Sequence, residues 1–175
     1  MKRIVILLFG VFAYGVFFAT FLYLIAFVGN LQQTGLAPWL PALVPHSIDH
    51  GRPTGPVALA VLINLGLVLL FGMQHSIMAR TGFKARLRNI LPGPAERSVY
   101  VLLASAMLIL LFWQWRPIPE VVWSAQSAAG IAVGWTVFAV GFGTVLLATF
   151  LIDHFDLFGL KQVWRHFVGS APSHP

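Results

Sequence analysis

Most of the ionisable side chains in this sequence stand where long apolar runs end, and they are the residues best placed to do chemistry. His75 closes one such run and Arg80 follows it. Glu96 and Arg97 open another, and Asp153, His154 and Asp156 close a third. A histidine near neutral pH serves as a proton acceptor. An arginine holds an anion, and a carboxylate faces a cation. The plainer reading makes them boundary residues that reach headgroups and water. Acids and bases gather together there, and ionisable groups beside a membrane span are functional candidates. On that ground His75 and His154 are the candidate catalytic residues, and Arg97, Asp153 and Asp156 the candidate substrate-binding residues.

These residues must be positioned by elements that a bilayer solvates. Only 9% of the 175 residues are charged and 58% are hydrophobic, against roughly a quarter charged in ordinary soluble domains. Four stretches lack Asp, Glu, Lys and Arg: Ile4–Gly29, Pro53–Ala79, Ser98–Trp115 and Val121–Ile152. A spanning helix takes about 20 apolar residues, so each stretch holds one. The fourth is longer than needed, and its polar start from Val121 to Ala129 reads as loop. The expected fold is all-α, a polytopic integral membrane protein of four transmembrane helices. The segment Ile152–Phe167 adds a helix with an apolar stripe in the membrane surface, with Gly159 as a possible break. Residues 1–165 read as one transmembrane domain and 166–175 as a flexible tail.

The basic residues set orientation. With the N-terminus inside, Lys2, Arg3, Arg80, Lys84, Arg86, Arg88, Arg97, Lys161 and Arg165 lie inside, and only Arg52 and Arg116 outside. That split follows the positive-inside rule. Trp39, Trp113, Trp115, Trp123 and Trp164 fall at span ends, as an aromatic belt requires. The same use of the basic residues argues against nucleic acid as a partner, despite the net charge of +6. The lipid bilayer is the partner instead. With no cysteine, there is neither a thiolate metal site nor a Cys nucleophile. The proline-rich loop Asn30–Arg52 reads as exposed. Asn64, on the His75 face of the second span, reads as polar glue between helices. Ser98 and Ser105, and Gly130, Gly134 and Gly141, read as close-approach positions.

Four motifs in order carry a family resemblance. They are Gln74-His75-Ser76-Ile77-Met78-Ala79-Arg80; Glu96-Arg97-Ser98-Val99-Tyr100-Val101-Leu102; Phe112-Trp113-Gln114-Trp115-Arg116-Pro117-Ile118-Pro119; and Asp153-His154-Phe155-Asp156-Leu157-Phe158-Gly159-Leu160-Lys161-Gln162-Val163-Trp164. Over about residues 1–165 the chain resembles the bacterial methanethiol S-methyltransferases, relatives of NnrU-type membrane proteins and isoprenylcysteine carboxyl methyltransferases. The resemblance implies methyl transfer from S-adenosylmethionine to a small thiol, methanethiol, giving dimethyl sulfide in a bacterial inner membrane. It also implies a later Arg-His-Pro-x-Tyr-x-Gly-like segment for the cofactor. Phe167 follows Arg165-His166 here, so an incomplete cofactor site is expected in this chain. Two alternatives stand beside this reading. One is a non-catalytic NnrU-like membrane protein. The other is a b-type haem protein using His75 and His154, which fall on one membrane side.

The topology has a direct test. A reporter active only in the periplasm should be silent when fused after Pro175 and active when inserted within Asn30–Arg52. The opposite pattern would overturn the orientation.

Overall fold

The computed structural model describes residues 2–51, 55–118, 120–121 and 124–170. Arg52, Pro119, Trp123 and the last five residues of the expected tail lie outside the described residues. Among the described residues eight α-helices follow in order: α1 (Lys2–Val28), α2 (Leu40–Leu43), α3 (Val57–Ala79), α4 (Thr81–Arg88), α5 (Glu96–Gln114), α6 (Ala128–Ile152), α7 (His154–Leu157) and α8 (Leu160–Val168). The chain is a polytopic membrane protein: α1, α3, α5 and α6 are each long and apolar enough to cross a bilayer. In lipid a chain must satisfy its backbone polar groups internally, and the helix is the local solution. The fourth span starts at Ala128, where Ser127 caps it by accepting from the Gly130 N–H at 3.1 Å. The described residues before it, Val121 and 124–127, are loop as expected, and the helix takes in the last two residues of that stretch, Ala128 and Ala129.

Packing centres on α1 and α5. Phe112 lies 4.8 Å from Tyr23 and 5.0 Å from Phe27 between ring centroids, and Phe27 meets Trp115 edge to face. On its other side α5 packs along α3, where Asn64 is buried. The Asn64 amide donates to the Arg116 carbonyl at 2.7 Å and accepts from the Arg116 N–H at 2.9 Å. It thus pairs with both backbone groups of the residue where α5 has ended. The expected polar glue is present, and its partner is a main chain rather than a side chain. Ser105 is buried too, its hydroxyl returning to the Val101 carbonyl at 2.9 Å, and Ser98 is wholly buried.

The loop after α1 is mostly exposed, as expected, with Leu36, Trp39 and Leu43 facing outward. It is nevertheless tied down over the ends of α1 and α5. The Ile48 N–H donates to the Phe27 carbonyl at 3.1 Å, Trp115 Nε1 donates to the Ile48 carbonyl at 2.9 Å, and Val44 and Ser47 are buried. Prolines stop it from being a span, but Ile48 still packs on the helix ends.

Glycine is used elsewhere than the sequence pattern suggested. A Cβ at Gly134 or Gly141 would meet nothing within 4 Å, and no residue of α6 is buried. Small residues four apart permit close approach but do not compel it. The close approaches are on the other helices. A Cβ at Gly10 would stand 2.6 Å from a Val163 methyl, and one at Gly159 would stand 2.9 Å from Arg97 Cβ. The first lets α8 lie on α1, and the second lets the α7–α8 turn reach the start of α5.

The apolar stripe expected after the fourth span is real and divides its work. Val163 is fully buried against α1, while Trp164, Phe167 and Val168 face outward. Helix α8 runs to Val168, past the expected tail boundary at residue 166. Gly169 ends it, in a left-handed conformation at φ 80° that only glycine adopts without strain.

Replacing Asn64 by Leu keeps the volume but leaves the Arg116 N–H and C=O without partners. Losing such bonds costs about 1–2 kcal/mol. The unfolding free energy of the detergent-purified variant, from SDS titration, should fall by that amount. A change below about 0.5 kcal/mol would show that Asn64 does not hold the exit of α5.

Candidate functional site

The chain turns sharply at Asp153, between α6 and α7. Its φ of 127° is outside the regions that L-residues favour. The Asp153 side chain compensates the corner in two ways. One carboxylate oxygen accepts from the Asp156 N–H at 3.2 Å, capping α7, and the other pairs with Lys161 on α8. The Lys161 ammonium, then the Asp156 N–H, hold the Asp153 carboxyl below the usual carboxylate range. Arg165 Nη1 lies 3.7 Å from Asp156 Oδ1. Both acids are therefore matched by cations of α8.

His154 enters the bundle instead of facing water; it is only 4% exposed. Phe150 stacks on it at 4.3 Å, and Tyr14, Phe155 and Phe158 stand edge-on around it. Its two nitrogens are both occupied. The Thr149 hydroxyl donates its one proton to the Leu146 carbonyl at 2.7 Å. Thr149 must then accept from His154 Nδ1–H, which lies 2.7 Å away. That assigns the tautomer, and Nε2 is left to accept from the Tyr14 O–H at 2.9 Å. With neither nitrogen free, His154 cannot be an axial haem ligand, and the haem alternative loses one of its two ligands. Burial pushes the imidazole below the ordinary histidine range.

His75 and Arg97 come together in a different place. A cavity of about 270 Å³ lies where α3 ends, α4 passes and α5 begins, and the turn after α7 closes it. His75, Met78, Lys84, Arg97, Tyr100 and Phe158 form most of its chemistry. The Tyr100 hydroxyl is 2.9 Å from His75 Nδ1 and 3.1 Å from Nε2, so it engages one ring nitrogen at a time. Glu96 lines the cavity but is bound by Arg88 Nε at 2.6 Å. Among the described residues, neither the Arg97 nor the Lys84 side chain makes a hydrogen bond or ion pair.

The five candidates thus form two groups. His75 and Arg97 line the cavity; Asp153, His154 and Asp156 build the corner behind it. The groups meet through Phe158, which lines the cavity, packs on His154, and stacks on Phe17 of α1 at 3.8 Å. Tyr100, Lys84 and Phe158 were not among the sequence candidates. Tyr100 did sit inside the Glu96–Leu102 motif, three residues from Arg97, so helical spacing held a signal for it.

With this arrangement in view, the relatives are informative. The methanethiol S-methyltransferase of Mycobacterium tuberculosis is 44% identical over 170 residues, covering 97% of this chain and 65% of the relative. That of Crocosphaera subtropica is 42% identical over 167 residues, covering 95% of this chain and 61% of the relative. The chain is a homologue of the methanethiol S-methyltransferases. It spans less than two-thirds of the length of these curated relatives. Nurim from Sus scrofa is also similar, at 33% identity over 168 residues, covering 90% of this chain and 60% of the relative. No family model matches, and no solved structure matches. Three of the four motifs build the cavity and its corner, whereas the third in chain order, with Phe112 and Arg116, packs at the opposite end of α5.

The His154 environment gives stability a pH dependence of known sign. The buried imidazole resists protonation, so as pH falls the unfolded chain takes up the proton first. The stabilisation is full above about pH 6.5 and is lost as pH falls through the histidine range. Asp153 acts in a separate window, its contribution vanishing only below about pH 4. The melting temperature in detergent should therefore drop between about pH 7 and 5, and His154→Gln should flatten that drop. A slope of equal size in the variant would show that His154 is not its source.

Proposed function

We propose that the chain takes part in methyl transfer to methanethiol, giving dimethyl sulfide, with S-adenosylmethionine as methyl donor. The observation that carries this reading is the unpaired Arg97 guanidinium beside the His75–Tyr100 pair, at the end of spans in a homologue of enzymes named for this reaction.

The acceptor is a small, apolar thiol that partitions into lipid. Its thiolate is far more nucleophilic than the thiol. Three features of the cavity favour the thiolate. The Tyr100 oxygen accepts the N–H of one His75 nitrogen, which leaves the other nitrogen as the base for the S–H proton. Arg97, with no competing acid, neutralises the sulfur charge that results. Met78, Leu87, Val101 and Leu157 supply apolar walls, so the charge interaction is weakly screened.

The donor set also suits one end of S-adenosylmethionine. Lys84 matches its carboxylate, and the faces of Tyr100 and Phe158 match a sulfonium by cation–π attraction. The cavity lies just below the roughly 300–1,000 Å³ of sites that enclose drug-sized ligands, so these residues would hold part of the molecule. When bound, the donor supplies an electrophilic methyl on a sulfonium, and in-line displacement by the thiolate leaves the sulfur electron pair on the donor. In this reading Asp153, His154 and Asp156 act by position. They hold Phe158 in the wall and touch no reactant.

The orientation belongs to the same proposal. Basic residues concentrate on the side of α4, α8 and the start of α1, which supports placing both ends and the cavity mouth at the cytoplasmic face of a bacterial inner membrane. A cationic, water-soluble donor would arrive from there.

Dimethyl sulfide formed from methanethiol and S-adenosylmethionine can be followed by headspace gas chromatography. Arg97→Gln and His75→Ala should each lower the rate about 100-fold or more, as loss of a positioned acid–base group does. The substitutions should be made in this chain and at the matching positions of the longer Mycobacterium tuberculosis relative. Near-normal turnover in both variants of an active, membrane-inserted protein would remove the cavity from the reaction.

A further inference from the structure

A second concavity, of about 640 Å³, lies at the elbow between α3 and α4. Ile77, Ala79, Arg80, Thr81, Gly82, Phe83 and Arg86 line it. Arg80 is the hinge residue, extended at φ −70° and ψ 142° between the last residue of α3 and the first of α4. It is also the last residue of the Gln74–Arg80 motif, and the methyl-transfer reading gives it no task. Three other cations on this side of the molecule are matched by acids, Arg88 by Glu96, Lys161 by Asp153 and Arg165 by Asp156, while Arg97 and Lys84 line the cavity of His75. Among the described residues, the Arg80 and Arg86 side chains have no such partner. No Asp or Glu occurs anywhere from residue 57 to 95, so the groove carries two cations that the protein does not neutralise.

Its surroundings identify what neutralises them. The groove sits at the end of a helix long and apolar enough to cross a bilayer, which is where headgroups meet a spanning helix. Above it, Leu69, Met73 and Ile77 recur every four residues along α3, and all three are exposed. This spacing makes one continuous apolar track down the helix surface, and the track ends at the groove. Two guanidinium groups at the foot of an apolar track match a phosphodiester with an attached acyl chain. A free anion would use the arginines but not the track.

We propose that the α3–α4 elbow is a binding site for an anionic phospholipid of the surrounding bilayer. Arg80 and Arg86 hold the headgroup phosphate, and one acyl chain lies along Leu69, Met73 and Ile77. The site is separate from the cavity of His75 and Arg97, and it does not depend on the methyl-transfer reading.

Native mass spectrometry of the detergent-purified chain, exchanged into defined lipid, tests this directly. The probes are phosphatidylglycerol, phosphatidylcholine and inorganic phosphate. One phosphatidylglycerol should be retained preferentially, with neither of the other probes replacing it. Two cations near a lipid phosphate alter affinity by about 30-fold. Arg80→Gln with Arg86→Gln should weaken retention by that factor, and Arg80→Lys with Arg86→Lys should keep most of it. Lys2→Gln with Arg3→Gln, which removes two cations elsewhere, should leave retention unchanged. Circular dichroism confirms helical content in each variant. Equal retention in the two Gln pairs would overturn the proposal, as would equal retention of phosphatidylcholine. Displacement of the lipid by millimolar inorganic phosphate would show an anion site without lipid specificity and would overturn it too.

Discussion

The side of the molecule that carries the cavity depends on one buried imidazole. His154 follows a corner that an L-residue adopts at a cost, and it is inserted among four aromatic rings. An imidazole buried there must be neutral and must satisfy both nitrogens, because an unpaired polar group in such surroundings costs more than a hydrogen bond returns. Thr149 and Tyr14 meet those two demands from different helices, α6 and α1. The same pair of bonds therefore ties the end of the fourth span to the first. Once His154 is fixed, Phe158 stacks on Phe17, the Gly159 turn reaches Arg97 and Ser98, and Val163 settles on Gly10.

That dependence explains which parts of the structure could be read from the sequence. The spans were legible because bilayer thickness and hydropathy are nearly sufficient to define them. His75 and Arg97 were legible as ionisable groups at span ends. The role of His154 was not, because its partners are 140 and 5 residues away in the chain, and nothing local distinguishes a satisfied histidine from a base. Helix α4 was missed because an eight-residue segment with three basic residues lacks an apolar period and reads as loop. The docking of the Asn30–Arg52 loop depends on backbone carbonyls such as that of Ile48, which composition cannot reveal. The glycines show the same limit: Gly10 and Gly159 are used for close approach, whereas Gly134 and Gly141 are not.

Helix α6 stands apart from this network. It touches α1 where Phe138 nears Gly29 and Phe142 meets Phe21, yet none of its residues is buried. Its firmest connection to the bundle is its C-terminal end, through Thr149, Phe150 and the His154 corner. The corner thus anchors a span as well as a wall of the cavity, and the strain at Asp153 is offset by three elements at once: the α7 cap, the Lys161 ion pair and the imidazole bonds.

The distribution of acids completes the argument. The chain has five, and three of them lie on the cavity side: Glu96, Asp153 and Asp156. Each is paired with a basic side chain from the end of α4 or from α8. Pairing the acids has a consequence for the cations that remain. A free carboxylate in the wall would compete with a bound anion for Arg97. With Glu96 held by Arg88 and the two aspartates held by α8, Arg97 and Lys84 are left without an acidic partner in the cavity. The structural ion pairs and the chemistry of the cavity are for that reason one arrangement: the corner takes the acids, and the cavity keeps the cations.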